Sequence, residues 1–451
     1  MELVKATAIL DSLVSKSSGY GFEEAAAKYS AETSKKISIL FGEVSSFEES
    51  SEQGISFRGL KNGQMGKCST NIFDSETEDF LLSSALENCE VLNDEDPDFI
   101  YCDPDNSDLS YEQDVSAAEA LSYDDLASLG LSLEKKLLES DERIVAVDHL
   151  SLAASSDVTV VRNSKGLKMF SRTGIITVFA YVRAQDGQLV KTAGDYWYGL
   201  DLKDFDVDKM VEKIKNDAIA KLSAKSVKSS AYTCIYKNEA FMDLVDAFMT
   251  NFSSSSMQHG LSLLAGREGE KIASDIFTLT EIPEYEKAVT QVPFDAEGVL
   301  TTKKALIENG IFKTAMYNLK TANKAGCKST GNAMSAGQVD YSNLVVTPGD
   351  KSLDELAAEI GSGIIITEIS GLHAGLDTIS GDFSLLAEGF LVEDGKIGRA
   401  VDQITVADNF YDTLMKITAI GSDVKAQPGG AGEFFSPSVV VRDVSISGEL
   451  N

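Results

Sequence analysis

The sequence predicts an α+β protein with an N-terminal α/β domain over residues 1–225 and a C-terminal β-rich domain over residues 226–451. The length of 451 residues exceeds what one typical core accommodates, which favours two domains. The first half mixes amphipathic helical segments with alternating strands, whereas the second half is a series of glycine-punctuated apolar segments typical of a large curled antiparallel sheet. The small, polar and basic segment "SAKSVKSS" (223–230) marks the boundary.

The N-terminal segments divide into helices and hairpins. Residues 2–16 carry apolar side chains at helical spacing, and residues 77–88 return to the same spacing, so both stretches are predicted helices. Between them, residues 36–70 alternate apolar and polar side chains across the turn signal Asn62-Gly63, which predicts a set of hairpins.

The acidic stretch 94–114 resembles the start of a calcium loop, because Asp103, Asp105 and Ser107 alternate. An EF-hand loop requires glycine at its sixth position and glutamate at its twelfth, and this segment has Asp108 and Asp114 there. The sequence therefore favours a solvated linker over a calcium site.

The rest of the first half is predicted to be a helix, several strands and a second helix. Ser122 is a suitable N-cap for the helix that follows it. Residues 144–199 read as antiparallel strands, with turns at 163–166 and 185–187, and residues 205–223 have helical spacing.

The second half is predicted to be mainly strands. Asn309-Gly310 and Asp394-Gly395 are strong hairpin signals. Short helices are predicted at about 352–360 and 408–418.

Composition limits the function classes. The formal net charge of −31 repels nucleic acid and anionic membranes, so direct DNA binding is not expected. The five cysteines are scattered and form no C-x-x-C pair, which fits a reducing cytoplasm. The first residues lack the unbroken apolar core of a signal peptide, and no apolar run approaches the roughly 20 residues of a membrane span.

The segment "IYKNEAFMDLVDAFMT" (235–250) presents the central question, because its Asn238-Glu239-x-x-x-Asp243 core has the outline of the zinc motif His-Glu-x-x-x-His without the histidines. An amide is a poor zinc ligand, and positions five apart on an ideal helix diverge by about 140°. The remaining apolar side chains form a complete helical stripe, and Asn238 suits an N-cap. The residues themselves favour a capped core helix.

The blocks around this segment resemble those of the TldD/PmbA family, which carries the older label "modulator of DNA gyrase". The resemblance rests on "NEAFMD", "LLAGREGEKIAS", "PFDAEGVLTTKKALIENGIFKTAMYNLKTANKAG", "TGNA" and "SGLHAGLDTISGDFSLLAEGFLVEDGKIG". It implies a two-domain protein with an α/β first domain and a β-rich second domain.

The resemblance also implies where a metal site would stand. In the TldD branch two histidines and a late cysteine bind zinc, and a glutamate is catalytic. The matching positions here are Asn238, Asp243 and the retained Glu239, and no cysteine follows Cys327. These departures indicate the PmbA branch, whose TldE-like members pair with a TldD subunit. No metal or other cofactor is expected in this chain, and zinc is expected in the partner.

Further candidate residues for substrate or partner binding lie in two of these blocks. His373 is flanked by glycines, and Asp377, Ser380 and Asp382 follow it, although turn formation is an alternative role for these three. Arg267 could form an ion pair near the motif, or simply belong to the charged surface.

The expected function is the non-catalytic, PmbA/TldE-like subunit of a cytoplasmic zinc metallopeptidase for unfolded peptides. Its expected partner is a TldD-like catalytic subunit, and a homodimer is expected where that partner is absent. Two alternatives stay open. The chain could be a metallopeptidase in its own right, with a metal held by Asp243, His259 or His373. It could also be a stand-alone peptide-binding protein.

Overall fold

The computed structural model describes residues 3–91, 99–334 and 337–449. The chain divides into two compact units, Met1–Leu222 and Ser223–Asn451. The α+β class predicted from the sequence is confirmed, with a mixed first unit and a β-rich second unit. None of the helices in the described ranges is long and apolar enough to cross a membrane.

The first unit contains one sheet and a set of helices. Its helices are α1 (Leu3–Lys16), α2 (Thr77–Val91), α3 (Ser116–Ala120), α4 (Tyr123–Glu139) and α5 (Val207–Leu222). Its strands are β1 (Glu24–Leu40), β2 (Glu43–Lys61), β3 (Gln64–Thr70), β4 (Asp108–Glu112), β5 (Ile144–Asn163), β6 (Lys168–Asp186) and β7 (Leu189–Gly199). The seven strands run in the order β3-β2-β1-β5-β6-β4, and β7 also pairs with β6.

Helices cover this sheet because packing their apolar side chains against its apolar face removes both from water. Leu10 and Leu13 of α1 pack with Leu81 of α2 in one cluster, and α4 and α5 contribute to a second cluster over β5 and β6. Ser122 caps α4 through a capping box with Asp125, as its sequence position predicts.

The acidic stretch 94–114 is not only a linker, and that prediction is wrong for part of it. Residues 108–112 form β4, which pairs in parallel with β6, so the main chain there is fixed by sheet hydrogen bonds. Before β4, the Asp103 carboxylate accepts bonds from the Asp105 N–H and the Asn106 amide, which is local turn formation. Residues 94–98 lie outside the described residues.

The second unit contains short helices and two sheets. Its helices are α6 (Asn238–Ala247), α7 (Ser254–Gln258), α8 (Leu319–Ala325), α9 (Leu353–Ile360) and α10 (Phe410–Met415). Its strands are β8 (Ser230–Tyr236), β9 (Leu279–Glu281), β10 (Lys304–Glu308), β11 (Ile311–Phe312), β12 (Leu344–Val346), β13 (Gly363–Ser370), β14 (Asp382–Glu393), β15 (Lys396–Asn409), β16 (Ile417–Ile420), β17 (Lys425–Gly429), β18 (Gly432–Ser436) and β19 (Val439–Ser447).

One of these sheets closes on itself. The order β15-β14-β13-β8-β19 continues into a pairing of β19 with β15, so five strands form a ring and β16 adds to β19. The pairings are antiparallel except for β13 with β8. The curled sheet predicted from the sequence is therefore a small closed barrel with one parallel pair.

The other sheet of this unit has the order β11-β10-β9-β12-β18-β17, so β17 is an edge strand. The β17–β18 hairpin turns through Gly430, which has a φ of 56°. The predicted hairpins at Asn309-Gly310 and Asp394-Gly395 are present, and both pairs have the positive φ angles that such two-residue turns require. The helix predicted at about 408–418 is shorter, because β15 continues to Asn409, whose side chain caps α10.

Candidate functional site

Helix α6 has two faces with different partners. Its apolar stripe, including Phe241, Leu244 and Val245, is fully buried in the largest core of the second unit, as the spacing predicts. Three acidic residues, Glu239, Asp243 and Asp246, follow one another at i, i+4 and i+7 and form a polar stripe on the same helix. Within this stripe, Glu239 matches the glutamate of the outline His-Glu-x-x-x-His, and Asp243 stands at the position of its second histidine.

The polar stripe of α6 is bonded to strand β17. Lys425 forms an ion pair with Glu239, and the Gln427 side-chain amide donates a hydrogen bond of 3.0 Å to the Asp243 carboxylate. Four residues of helix rise about 6 Å, and two residues of strand advance about 6.6 Å. The spacing of 239 and 243 on the helix therefore matches that of 425 and 427 on the strand, which allows both contacts to form in register.

Asn238 is not the N-cap of α6, so that prediction is wrong. The cap position is Lys237, and Asn238 is the first helical residue. Its side-chain amide is buried and donates a hydrogen bond of 2.8 Å to the main-chain carbonyl of Asp423, while its oxygen accepts from the neighbouring Glu239 N–H. Asn238 thus attaches the start of α6 to the segment leading into β17.

The segment before β17 is itself held in place. The Asp423 carboxylate accepts hydrogen bonds from the N–H of Ser438 at 2.9 Å and from its hydroxyl at 2.6 Å. At the other end of α6, the Tyr341 hydroxyl bonds to Asp246, and a Cβ added at Gly429 would meet that hydroxyl at 2.2 Å. A larger residue at Gly429 would therefore force the Tyr341 hydroxyl to move from Asp246.

Burial and like charge determine the protonation of this site. The pKa of Asp243 is raised, first by burial and then by the nearby carboxylates of Glu239, Asp246 and Glu368, while the bond from Gln427 acts in the opposite direction. Burial also raises the pKa of Asp246, against the bond from Tyr341. The folded protein therefore disfavours ionisation of both carboxyl groups.

These residues do not fit a zinc ion. Asn238 and Asp243 contact points four residues apart on the segment 423–427, which is about 13 Å of extended chain, rather than a common centre. Within residues 3–91, 99–334 and 337–449, no group of three or more histidine, cysteine or acidic side chains is arranged to hold a metal ion. The cation beside the retained glutamate is an ammonium group of the chain itself.

Three of the other predicted candidates bond to one another and to Asn409 at the end of β15, whose side-chain amide donates to the Asp382 carboxylate and to the Ser380 carbonyl, both at 2.9 Å. Asp377 accepts from the N–H groups of Ile379 and Ser380, bonds that lower its pKa, and Ser380 bonds to Asp382. His373 is exposed in the same loop, between β13 and β14. The loop is therefore held both by its own side chains and by the amides of Asn409 and Asn251, the latter bonding to the Thr378 carbonyl.

Arg267 and the two histidines named for the alternative metal site are also apart from β17. Arg267 pairs with Glu270 at 2.8 Å on the surface. His259 bonds through Nδ1 to the Ser255 carbonyl at 2.7 Å, and His373 lies in the loop described above. No described contact joins these residues to Asp243.

A buried polar network supports the loops that surround the second sheet. The Glu281 carboxylate is fully buried and accepts from Lys304 at 2.6 Å, from the Asn332 amide and from the Ser342 hydroxyl. Asp295 accepts main-chain N–H bonds from residues 297, 299 and 333. The blocks "PFDAEG" and "TGNA" therefore have a structural role in holding these loops.

Sequence comparison identifies both units of the chain. Residues 229–448 match the PmbA/TldA metallopeptidase C-terminal domain, and residues 116–222 match the central domain of the same family. The chain belongs to the PmbA/TldD family. The family membership inferred from the sequence blocks is thereby confirmed.

Named relatives and solved structures of the PmbA/TldD family extend over nearly the whole chain. The chain is 25% identical over 427 residues to the metalloprotease PmbA of Escherichia coli O157:H7, covering 92% of this chain and 90% of that protein. A Thermotoga maritima protein described as a modulator of DNA gyrase has a TM-score of 0.87 at 28% identity, covering 98% of this chain and 100% of that one. TldE from Thermococcus kodakarensis has the same TM-score at 23% identity, with coverage of 98% and 100%, and shares the fold.

The sequence singles out Asn238, Glu239 and Asp243 but not the residues that contact them. Asp423, Lys425 and Gln427 alternate along the chain, as side chains on one face of a strand do, and this was the available signal. Tyr341 had no comparable signal, because it reaches Asp246 from a segment 95 residues away.

Proposed function

We propose that this chain is the non-catalytic subunit of a TldD/TldE-type zinc metallopeptidase that degrades or processes unfolded peptides. The observation that carries the proposal is the state of the α6 site, where Glu239 is paired with Lys425 and Asp243 is bonded to Gln427. A general base must reach a water activated by the metal. Glu239 instead has an ammonium partner, which supports a structural role for it.

Peptide binding in this proposal uses main-chain hydrogen bonds. An edge strand can accept an extended segment as an additional strand, and this mode tolerates many sequences because the contacts are to the backbone. Within the second unit, β17 is the edge strand available for this mode, because the main chain of β11 at the other edge is already bonded to residues 269–271. A subunit without its own chemistry could hold an unfolded peptide at such an edge while the partner cleaves it.

The proposed partner is a TldD-like subunit that carries the zinc ligands missing here, and the proposed assembly is a dimer through the β-rich unit, or a homodimer where no partner exists. The net charge of −31 argues against direct contact with nucleic acid. The five described cysteines are unpaired, which supports the cytoplasm as the proposed location.

A second candidate is favoured by the names of the relatives, since PmbA of Escherichia coli is itself called a metalloprotease. In that case the chain would cleave peptides alone and would bind a metal. A stand-alone peptide-binding protein is the third candidate, and it would bind peptides without any hydrolytic partner.

One set of measurements separates the three candidates. The purified chain, a TldD-like subunit and their mixture are compared for zinc content by elemental analysis and for cleavage of an unfolded peptide. The proposal predicts no stoichiometric zinc and no cleavage for the chain alone, with cleavage by the mixture. Cleavage or bound zinc in the lone chain would support the second candidate, and a mixture no more active than the TldD-like subunit alone would support the third.

A further inference from the structure

The ion pair between Lys425 and Glu239 lies in an acidic environment. Besides Glu239, the carboxylates of Asp246 and Glu368 act electrostatically on Asp243, so four acidic side chains belong to this part of the molecule. Lys425 comes from the edge strand, and its side chain is about one-third exposed at 33%. The ammonium is therefore partly withdrawn from water beside several carboxylates that would repel one another without a cation.

We propose that the Lys425 ammonium is a built-in cation, which takes the place of a bound metal ion in holding α6 to β17 and keeps free divalent cations out of the site. This inference rests on the proposed function, because it treats α6 as a metal-free form of a metal site. It concerns a property of the chain alone, so it is tested without peptide or partner.

The choice of lysine is chemically suited to this role. A lysine ammonium is a compact point charge on a flexible stem and has three donors, so it can approach a carboxylate much as a small cation does. It remains attached to β17, so the link between strand and helix does not depend on the concentration of any ion. A free divalent cation would be repelled by the Lys425 ammonium and would find the Glu239 carboxylate already paired, so its binding is disfavoured.

If the Lys425 ammonium is removed, oxygen atoms of the neighbouring side chains are positioned to bind a cation in its place. Glu239 and Asp243 are four apart on α6 and project from the same side of the helix. The Gln427 side chain, already within 3.0 Å of Asp243, offers an amide oxygen after rotation. Carboxylate and amide oxygens with added water suit Mg²⁺ and Mn²⁺ better than zinc.

The test compares Mn²⁺ binding by the full chain carrying Lys425→Ala with binding by Lys351→Ala, using the paramagnetic signal of free Mn²⁺. Lys351 pairs with Glu359 on the surface, so its removal changes the net charge equally and corrects for general attraction of cations to an acidic protein. We expect about one additional Mn²⁺ per chain in Lys425→Ala at millimolar concentration, and a melting temperature that is lowered without Mn²⁺ and restored with it. Lys425→Arg should gain no Mn²⁺.

Two results would overturn the inference. One is equal Mn²⁺ binding by Lys425→Ala and Lys351→Ala; the other is wild-type protein that binds Mn²⁺ as well as Lys425→Ala does. If Lys425→Ala fails to fold, Lys425→Met keeps the length of the stem and is used instead. Failure of both variants to fold even with Mn²⁺ present would also contradict the inference, since an added cation should then replace the ammonium. The double variant Lys425→Ala with Glu239→Ala should lose the gained site.

Discussion

Glu239 and Lys425 form an ion pair between helix α6 and edge strand β17, although 186 residues separate them along the chain. The family resemblance implies that Glu239 stands at the position of a catalytic glutamate in the TldD branch. In this chain its described partner is a lysine ammonium, and the flanking positions Asn238 and Asp243 are bonded to the same stretch of chain. The helix and the strand are thus joined by the residues that would otherwise be expected to hold and use a metal.

Asn238→Ala should destabilise the protein through the loss of its bond to Asp423. The side chain is only 6% exposed, and its removal leaves a main-chain carbonyl without its donor. The expected loss is about 1–3 kcal/mol in the free energy of unfolding, measured by denaturant titration. Asn323→Ala, at an exposed position of α8, should change it by no more than about 0.5 kcal/mol. Equal effects of the two substitutions would contradict this account of Asn238.

Lys304→Met should be far more harmful than loss of a surface lysine. Glu281 is fully buried, and Lys304 is 11% exposed beside it, so the substitution leaves a buried carboxylate without its counter-charge. Removing one partner of a buried pair costs about 3–5 kcal/mol. The matched control Lys351→Ala breaks an exposed pair with Glu359 and should cost at most about 1 kcal/mol. Similar unfolding midpoints for both variants would show that the buried network is not held by Lys304.

Asp243→Asn should stabilise the protein at neutral pH. The pKa of Asp243 is raised in the folded protein above its ordinary value of 3.8, so the folded state disfavours ionisation. A raised carboxyl pKa means that stability is lost as the pH rises from about 4 through the folded-state pKa. An asparagine oxygen can still accept from Gln427, so the variant keeps the bond and removes that loss.

The check on Asp243 is the unfolding free energy of wild type and Asp243→Asn between pH 4 and pH 8. The two proteins should be similar near pH 4 and should separate as the pH rises, with the variant more stable. The contradicting result is a variant that is less stable at pH 7 and whose free energy of unfolding depends on pH as that of wild type does. It would mean that the folded protein stabilises Asp243 as a carboxylate.

The sequence predicted those features that depend on local spacing. The stripe of α6, the N-cap at Ser122 and the two-residue hairpins at Asn309 and Asp394 all follow from contacts within a few residues. The closure of β15 on β19 depends on pairing between distant strands, for which the sequence has no local signal. Asn238 illustrates the limit, because its residue type suits a cap but its actual partner, Asp423, lies 185 residues away.

The same limit applies to the site. The positions Asn238, Glu239 and Asp243 could be located from the family blocks, and the sequence argues against zinc because an Asn amide is a poor ligand and positions five apart on a helix diverge. Their partners on β17 could not be located, because the register between a helix and an edge strand is fixed only in the folded protein. The charge of Lys425 was visible in the sequence, but its function as the partner of Glu239 was not.

The central claim is that this chain supplies no catalytic base, and Glu239→Gln in an assembled complex with a TldD-like subunit tests it most directly. Peptide cleavage is measured for the wild-type complex, for the complex with Glu239→Gln, and for a complex in which the glutamate of the partner's own zinc motif is changed to glutamine. A glutamine at 239 can still accept a bond from Lys425, so the complex should assemble. We expect nearly wild-type cleavage with Glu239→Gln and none with the partner's substitution. Loss of cleavage with Glu239→Gln in a correctly assembled complex would contradict the claim.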